Sequence, residues 1–372
     1  MRREICLFAA LSLCICCFAG CGKKETASGG LYGRASGIPE DTALAQVDGR
    51  TVTARQYFYW LAYDCDYIQA DCARAGTVPD WDSTFSGGTL GSYAKGQALR
   101  TAALYATVEN WAERYGCTLT EEDRAAWDAQ RNAAVEKAGG EKAYLAGLEW
   151  MGLDDSAARQ ISEDYYLYSH LNELYGKKDS ALCPAEGAVS QWAAKEGLVT
   201  AAEIRFSAGD GGDSLKSEKK KQAEALLAKL KAAADPAAAF LAAAESGAGD
   251  PERAAESGGR TFAPDDGTVP AAVSSAAAAL EENQLSGVVE ADGAFYLLLR
   301  RPLDAQAASA AYFDHLLQAA ADGAKITLSD AYGKIDAGEF YQKLAEERKK
   351  LPAGGPSAFS PEKSGGEAAS GS

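Results

Sequence analysis

The sequence predicts a mainly helical α+β protein built from more than one unit, and two observations predict it. All six tryptophans and most of the tyrosines fall between Leu44 and Gly197, where apolar residues recur at helical spacing. Residues 198–304 contain no tryptophan and one tyrosine, are rich in alanine, and mix strand and helix periods. A change that sharp in a chain of 372 residues places a domain boundary near residue 197.

The N-terminal residues are read first as an address. Met1-Arg2-Arg3 is a basic start, and Ile5 to Phe18 is an apolar run too short to span a bilayer. The run closes in Phe18-Ala19-Gly20-Cys21, which resembles the lipobox of bacterial lipoproteins, with Phe18 where that family usually has Leu. The resemblance implies a signal peptide over residues 1–20, lipidation at Cys21, and attachment to the outer face of the bacterial cytoplasmic membrane. Residues 21–43, with the glycines and serines of TASGGLYGRASG, are expected to form a flexible tether.

The helical zone begins with a hairpin signal, Asp48-Gly49 between Leu44–Val47 and Thr51-Val52. Thr53 with Gln56 three residues on is a capping box, and Tyr57, Trp60 and Tyr67 follow on the helix it starts. After a Gly-rich loop from Gly76 to Gly91, Leu104, Val108, Trp111 and Tyr115 mark the apolar face of a second helix. Thr120 with Glu121, Glu122 and Asp123 starts a third, its acids placed at the positive end of the helix dipole. Asp154 or Asp155 starts another through Ile161, Tyr165, Tyr168 and Leu171.

In the second zone, VTAAEIRFS (Val199–Ser207) alternates like a strand, with Glu203 and Arg205 on one face and Ile204 and Phe206 on the other. Ser214–Ala232 is an amphipathic helix, Asp235-Pro236 begins the next, Ser257-Gly258-Gly259 is a turn, and Pro270–Glu281 is a further helix. Leu285–Glu290 and Ala294–Arg300 read as two strands around Asp292-Gly293. Helical periodicity returns over residues 305–350, through Ala311–Ala321, Ile326 and then Phe340 and Leu344. These short helices are expected to pack back on the first zone. Residues 351–372, rich in Pro, Gly and Ser, are expected to be disordered.

Composition excludes several functions. With 37 basic and 53 acidic residues the formal charge is −16, which repels nucleic acid and anionic headgroups. Five of the nine cysteines belong to the signal and its lipobox; Cys65, Cys72, Cys117 and Cys183 lack metal-site spacing, so no metal is expected. Cys65 and Cys72 lie about 10 Å apart along one helix, too far to bridge, so buried free thiols are expected. The two histidines, His170 and His315, each sit alone in a helical pattern. No cofactor is expected.

The hairpin VDG-x-x-V, the helices after it, the α+β segment, the returning C-terminal helices and the lipobox together resemble the PrsA/SurA class of extracytoplasmic foldases. The resemblance covers residues 44–350. It implies a helical, SurA-N-like chaperone module over residues 44–197, completed by helices over 305–350, with a parvulin-like peptidyl-prolyl isomerase domain inserted over 198–304. In parvulins a first strand carries a histidine in His-Ile-Leu-Val and a last strand carries a second in Gly-Tyr-His-Ile-Ile. Here Glu203 of AAEIRF stands at the first position and Phe295 of DGAFYLLL at the second. Asp250 of GDPE matches the family's acidic or thiol position, Gly258-Gly259 match its turn, and Ala272 or Val273 replaces its pocket Phe.

Prolyl isomerisation needs a twisted amide, about 18–20 kcal/mol above the planar one, to be bound better than the planar form. With both histidines replaced and the pocket short of aromatic volume, no residue is assigned a catalytic role and isomerase activity is expected to be weak or lost. Burial cost favours Glu203 in a surface ion pair with Arg205 or a lysine over a desolvated carboxylate in a pocket. The expected role is binding of unfolded or nascent secreted polypeptides, with Trp81 and Phe85 in the Gly-rich loop as exposed contacts beside Ala272 and Val273. An active isomerase built around Asp250 and a solute-binding lipoprotein are the alternatives. Oligomeric state stays open.

Overall fold

A computed structural model describes residues 29–209, 212–250, 258–264 and 267–351. The expected signal peptide, Cys21, the first part of the tether and the tail from residue 352 lie outside the described residues. The chain is a mainly helical α+β protein that divides into two compact units. One runs from Cys183 to Leu316; the other combines residues up to Leu182 with those from Leu317 onward.

The discontinuous unit opens with α1 (Leu31–Ser36), then the hairpin β1 (Ala43–Val47) and β2 (Arg50–Thr53), and α2 (Ala54–Arg74). Asp48 and Gly49 both have positive φ, 49° and 90°, which the two-residue hairpin requires. Thr53 caps α2 as its capping box predicts, its N–H donating to Gln56 Oε1 at 2.9 Å. The Gly-rich loop contains a small hairpin of β3 (Thr84–Phe85) and β4 (Gly88–Thr89) before α3 (Leu90–Tyr115). Then come α4 (Glu121–Ala138), α5 (Glu141–Trp150) and α6 (Asp155–Gly176), with Thr120 capping α4 and Asp154 capping α6. Helix α5 had no signal of its own, since its ten residues follow two glycines and lack a capping side chain.

The C-terminal residues complete this unit. Ile326–Leu328 form a strand, β9, rather than part of a helix, and pair antiparallel with β1 to give the order β2-β1-β9. After α12 (Asp330–Gly333), α13 (Ala337–Lys349) lies on α1 and α2. Its Phe340 stacks on Phe58 with ring centroids 4.6 Å apart and meets Tyr32 at 6.1 Å. The tether expectation fails from residue 31 onward, because Leu31, Tyr32 and Ala35 are buried in this same core. An amphipathic turn with three apolar residues has somewhere to bury them once Phe58 and Phe340 are brought together. Leu351, placed in the tail by composition, is also buried. Arg348 fastens the packing: it donates to Asp66 Oδ1 and Oδ2 at 2.8 and 3.0 Å and to the Trp150 carbonyl, and lies 3.9 Å from the Trp150 ring centroid.

In the other unit, α7 (Ala188–Lys195) leads into β5 (Val199–Ser207), α8 (Gly212–Lys231) and α9 (Pro236–Glu245). There follow β6 (Arg260–Phe262), α10 (Ala271–Ala278), β7 (Val289–Ala291) and β8 (Ala294–Arg301). The sheet has the order β6-β5-β8-β7, antiparallel at every pairing. Helix α11 (Ala305–Asp322) carries the chain from this unit into the next. No helix among the described residues is long and apolar enough to cross a membrane. None of the four described cysteines is in a disulfide; Cys65 is buried, Cys72 and Cys117 are half-buried and Cys183 is exposed.

Phe340→Ala is expected to destabilise the protein by about 3–5 kcal/mol, the usual cost of deleting a buried Phe, whereas Tyr67→Ala on the exposed side of α2 changes stability by less than about 0.5 kcal/mol. Urea unfolding of the two variants beside the parent measures both.

Candidate functional site

The residues singled out for chemistry lie on or beside the β6-β5-β8-β7 sheet. Along β5, Ala202, Ile204 and Phe206 enter the core shared with Leu230 of α8 and Phe240 of α9, while Ala201 packs with Val273 and Ala277 of α10 on the opposite face. Glu203 and Arg205 follow Ala201 in the two-residue period, so they belong to the α10 face. The register with β8 pairs Phe206 with Phe295, Arg205 with Tyr296 and Glu203 with Leu298. Directly paired residues share a face. Phe295 therefore lies on the α8/α9 side, 1% exposed, and Tyr296 stands on the side of Glu203.

The two side chains are on opposite faces of the sheet. The sequence reading set Glu203 and Phe295 at the first and second family histidine positions and left their facing open. The reason is the composition of β8: AFYLLL is apolar throughout, so no alternation reveals which residues face which side, and a one-residue offset reverses the whole set. Tyr296 is the residue that β8 brings toward Glu203 and Arg205, and sequence reasoning missed it.

Glu203 pairs with an arginine from another strand. Its Oε2 lies 3.3 Å from Arg260 Nη2, and its side chain is 8% exposed. The partner comes from β6, where Arg260 sits opposite Ala201, two residues from Glu203 on the same face. Arg205 is drawn elsewhere: its guanidinium is 6.0 Å from the Tyr296 ring centroid, and Nη1 is 3.7 Å from Asp250 Oδ2. Asp250 lies along the edge of β5 beyond β6. Its N–H donates to the Arg205 carbonyl at 2.8 Å, and its Oδ1 accepts from the Ser207 N–H at 3.0 Å.

Two glycines permit this close approach. Gly249 has φ 86°, and a Cβ there would overlap the Arg205 carbonyl oxygen; Gly259 has φ 98° and lies against the Ala201 backbone. Asp250 thus satisfies two backbone groups at the edge of β5.

On α10, Val273 is 1% exposed and fills the core between helix and sheet, whereas Ala272 is exposed. No imidazole reaches this face: His315 lies with Trp192 and Tyr312, at 5.3 and 6.1 Å between centroids, and His170 hydrogen-bonds Asp123 at 2.8 Å in the other unit. Among the described residues this face carries two carboxylates held by arginines and a tyrosine 4% exposed. The described residues contain no cluster of His, Cys, Asp and Glu suited to a metal.

Trp81 and Phe85, in the helical unit, part company. Trp81 packs edge-on against Tyr341 at 5.6 Å and against the bare backbone of Gly338, so it is a packing residue. Phe85 remains 40% exposed at the tip of the β3–β4 hairpin, supported by Tyr93 at 4.7 Å.

Residues 204–301 match the PPIC-type PPIASE domain family, also called rotamase. The match opens one residue after Glu203. No curated protein matches the chain in sequence. Among solved structures, the chain is similar to the foldase protein PrsA from Streptococcus pneumoniae at 14% identity and a TM-score of 0.29, covering 72% of this chain and 92% of that one. PrsA from Bacillus subtilis gives 14% and 0.29, with 72% and 91% covered. A SurA-like chaperone of Campylobacter jejuni gives 15% and 0.23, with 83% and 96% covered.

Removing Arg260 leaves the Glu203 carboxylate buried without that partner, so Arg260→Ala is expected to lower stability by about 1–3 kcal/mol. Replacing both residues by leucine recovers much of the loss, because an apolar pair needs no desolvated charge. Denaturant midpoints of the single and double variants test this; equal stability of Arg260→Ala and the parent would remove the ion pair from the account.

Proposed function

We propose that this chain, whose residues 204–301 belong to the PPIC-type peptidyl-prolyl isomerase family, is an extracytoplasmic folding factor that holds unfolded exported polypeptides, with its isomerase catalysis lost. The observation that carries this reading is the state of the α10 face. Where a prolyl isomerase needs a pocket for the ring and hydrogen bonds that favour the twisted amide, Glu203 is closed by Arg260 and Val273 is core. A domain that keeps its frame without this machinery supports a binding or spacing role.

The lipobox-like Phe18-Ala19-Gly20-Cys21 supports anchoring at the outer face of the cytoplasmic membrane, and the net charge of −16 disfavours nucleic acid as a partner. On this reading the clients are secreted chains that have crossed the membrane and not yet folded. Phe85, exposed on its hairpin, is the proposed contact retained from the sequence reading.

In a protease-coupled assay on an Xaa-Pro peptide, the chain is expected to add nothing measurable to the uncatalysed rate, and Asp250→Ala to change nothing. A rate well above background that is lost in Asp250→Ala establishes the active isomerase instead. In the same preparation, stoichiometric chain is expected to suppress aggregation of a chemically unfolded model protein; no suppression at excess rejects the holding role. For the anchor, a globomycin-sensitive mobility shift abolished by Cys21→Ala is expected in cells, and an unchanged band in both cases rejects lipidation.

A further inference from the structure

The helical unit contains a cleft of about 80 Å³ between β2 and helices α2, α3 and α6. Its walls are aromatic. Tyr59 and Trp60 of α2 and Tyr105 of α3 form one cluster, with Trp60 4.8 Å from Tyr59 and 4.7 Å from Tyr105 between centroids. Two carboxyl groups also line it, Glu109 of α3 and Asp164 of α6. Asp164 is 6% exposed, the one charged residue among the buried polar residues described, and Glu109 lines the same cleft.

We infer that this cleft takes a lysine or arginine side chain of an unfolded polypeptide, its cation lodged between the aromatic walls and the Glu109–Asp164 pair. The inference rests on the reading of the chain as a holder of unfolded polypeptides and names the segment it selects. Aromatic faces attract a cation most strongly once water is excluded, and carboxylates at the end of such a slot complete its coordination. A strongly acidic protein adds long-range attraction for the same kind of segment.

Of the two arginines nearest the cleft, one pairs with Glu109 and the other is held outside the carboxyl pair. Arg50, from β2, lies 3.3 Å from Glu109 and also binds Asn110 and Glu113; Arg55, from α2, is held by Glu40 and Asp154. One native cation therefore faces two carboxyl groups. Burial and then the charge of Glu109 push the Asp164 carboxyl well above the usual carboxylate range, with Glu163 adding to the rise and Arg50 opposing it. Tyr59 and Tyr105 face the same space, both raised by burial and so neutral. At neutral pH the empty cleft thus holds a proton on Asp164. An incoming ammonium or guanidinium replaces it: the O–H bond of Asp164 breaks, the proton passes to solvent, and the ligand supplies the neutralising charge.

The experiment is calorimetric titration of the full chain at pH 7 with the capped heptapeptide Ser-Leu-Phe-Lys-Leu-Ser-Gly and its norleucine counterpart, in phosphate and in Tris. The lysine peptide is expected to bind at least tenfold more tightly and to release about one proton, read from the difference between the buffers. In Asp164→Asn the proton release disappears and the lysine preference shrinks, while the norleucine peptide binds as before. That variant also reports its own folding. The folded parent keeps a proton that the unfolded chain gives up above about pH 4, so the parent loses stability as pH rises and the variant does not. The melting temperature of Asp164→Asn should therefore climb relative to the parent between pH 4 and pH 8. Equal affinity for the two peptides, or binding without proton release, overturns the inference even if aggregation is still suppressed. Selective lysine binding without aggregation suppression keeps the cleft and rejects the holding role.

Discussion

The antiparallel register of β5 against β8 is the constraint on which the interpretation of this protein depends. Pairing Phe206 with Phe295 and Arg205 with Tyr296 assigns every residue of both strands to a face. One face becomes the core under α8 and α9, and the other carries Glu203, Arg205 and Tyr296 toward α10. A shift of one residue would exchange the two sets, moving Ile204 and Phe206 to the α10 side and both charges into the core under α8 and α9. The apolar surface of Ile204, Phe206, Phe295 and Leu297 opposes any such shift at roughly 1.5–3 kcal/mol for each side chain removed from its core. The same register takes Phe295 out of reach of Glu203 and so removes the second member of any paired site.

A second dependence is the return of the C-terminal segment. Strand β9 pairs with β1, and Phe340 and Arg348 of α13 reach Phe58, Tyr32 and Asp66 at the start of the helical unit. That unit is therefore built from sequence on both sides of the α+β unit. The bidentate Arg348–Asp66 pair is nearly buried, with side chains 9% and 13% exposed. A pair so placed contributes little net stability but strongly penalises arrangements that leave either charge alone. It acts on which docking of α13 is tolerated more than on how strongly α13 docks.

The two units differ in what they offer chemically. The sheet face of the isomerase-type unit has its charges compensated within the fold, Glu203 by Arg260 and Arg205 by Asp250. The cleft of the helical unit keeps a carboxyl buried beside a second carboxyl, an arrangement that costs folding energy. Such a cost placed in an aromatic cleft points to binding there, since a purely structural site would be better served by an apolar residue.

Local physics was legible in the sequence. Thr53, Thr120 and Asp154 cap their helices, Asp48-Gly49 and Asp292-Gly293 turn with positive φ, and Asp235-Pro236 opens α9, because each of these signals acts within four residues. The change from Trp-rich to Ala-rich sequence located the α+β segment, and the order of its elements carried the family resemblance. What the sequence left open were pairings across distance. The partner of Glu203 is 57 residues away on β6, the face of Phe295 follows from a uniformly apolar strand, and Leu31 and Tyr32 are buried by residues some 300 positions later in the chain. The Glu109–Asp164 pair joins two helices whose sequences each show one ordinary acid. Sequence alone determined the capped helices, the tight turns and the order of the long elements, because capping, turns and periodicity are short-range; only the tertiary structure revealed α1, α5 and β9 and decided which side chains meet, because strand register and helix docking bring together residues that no local pattern links.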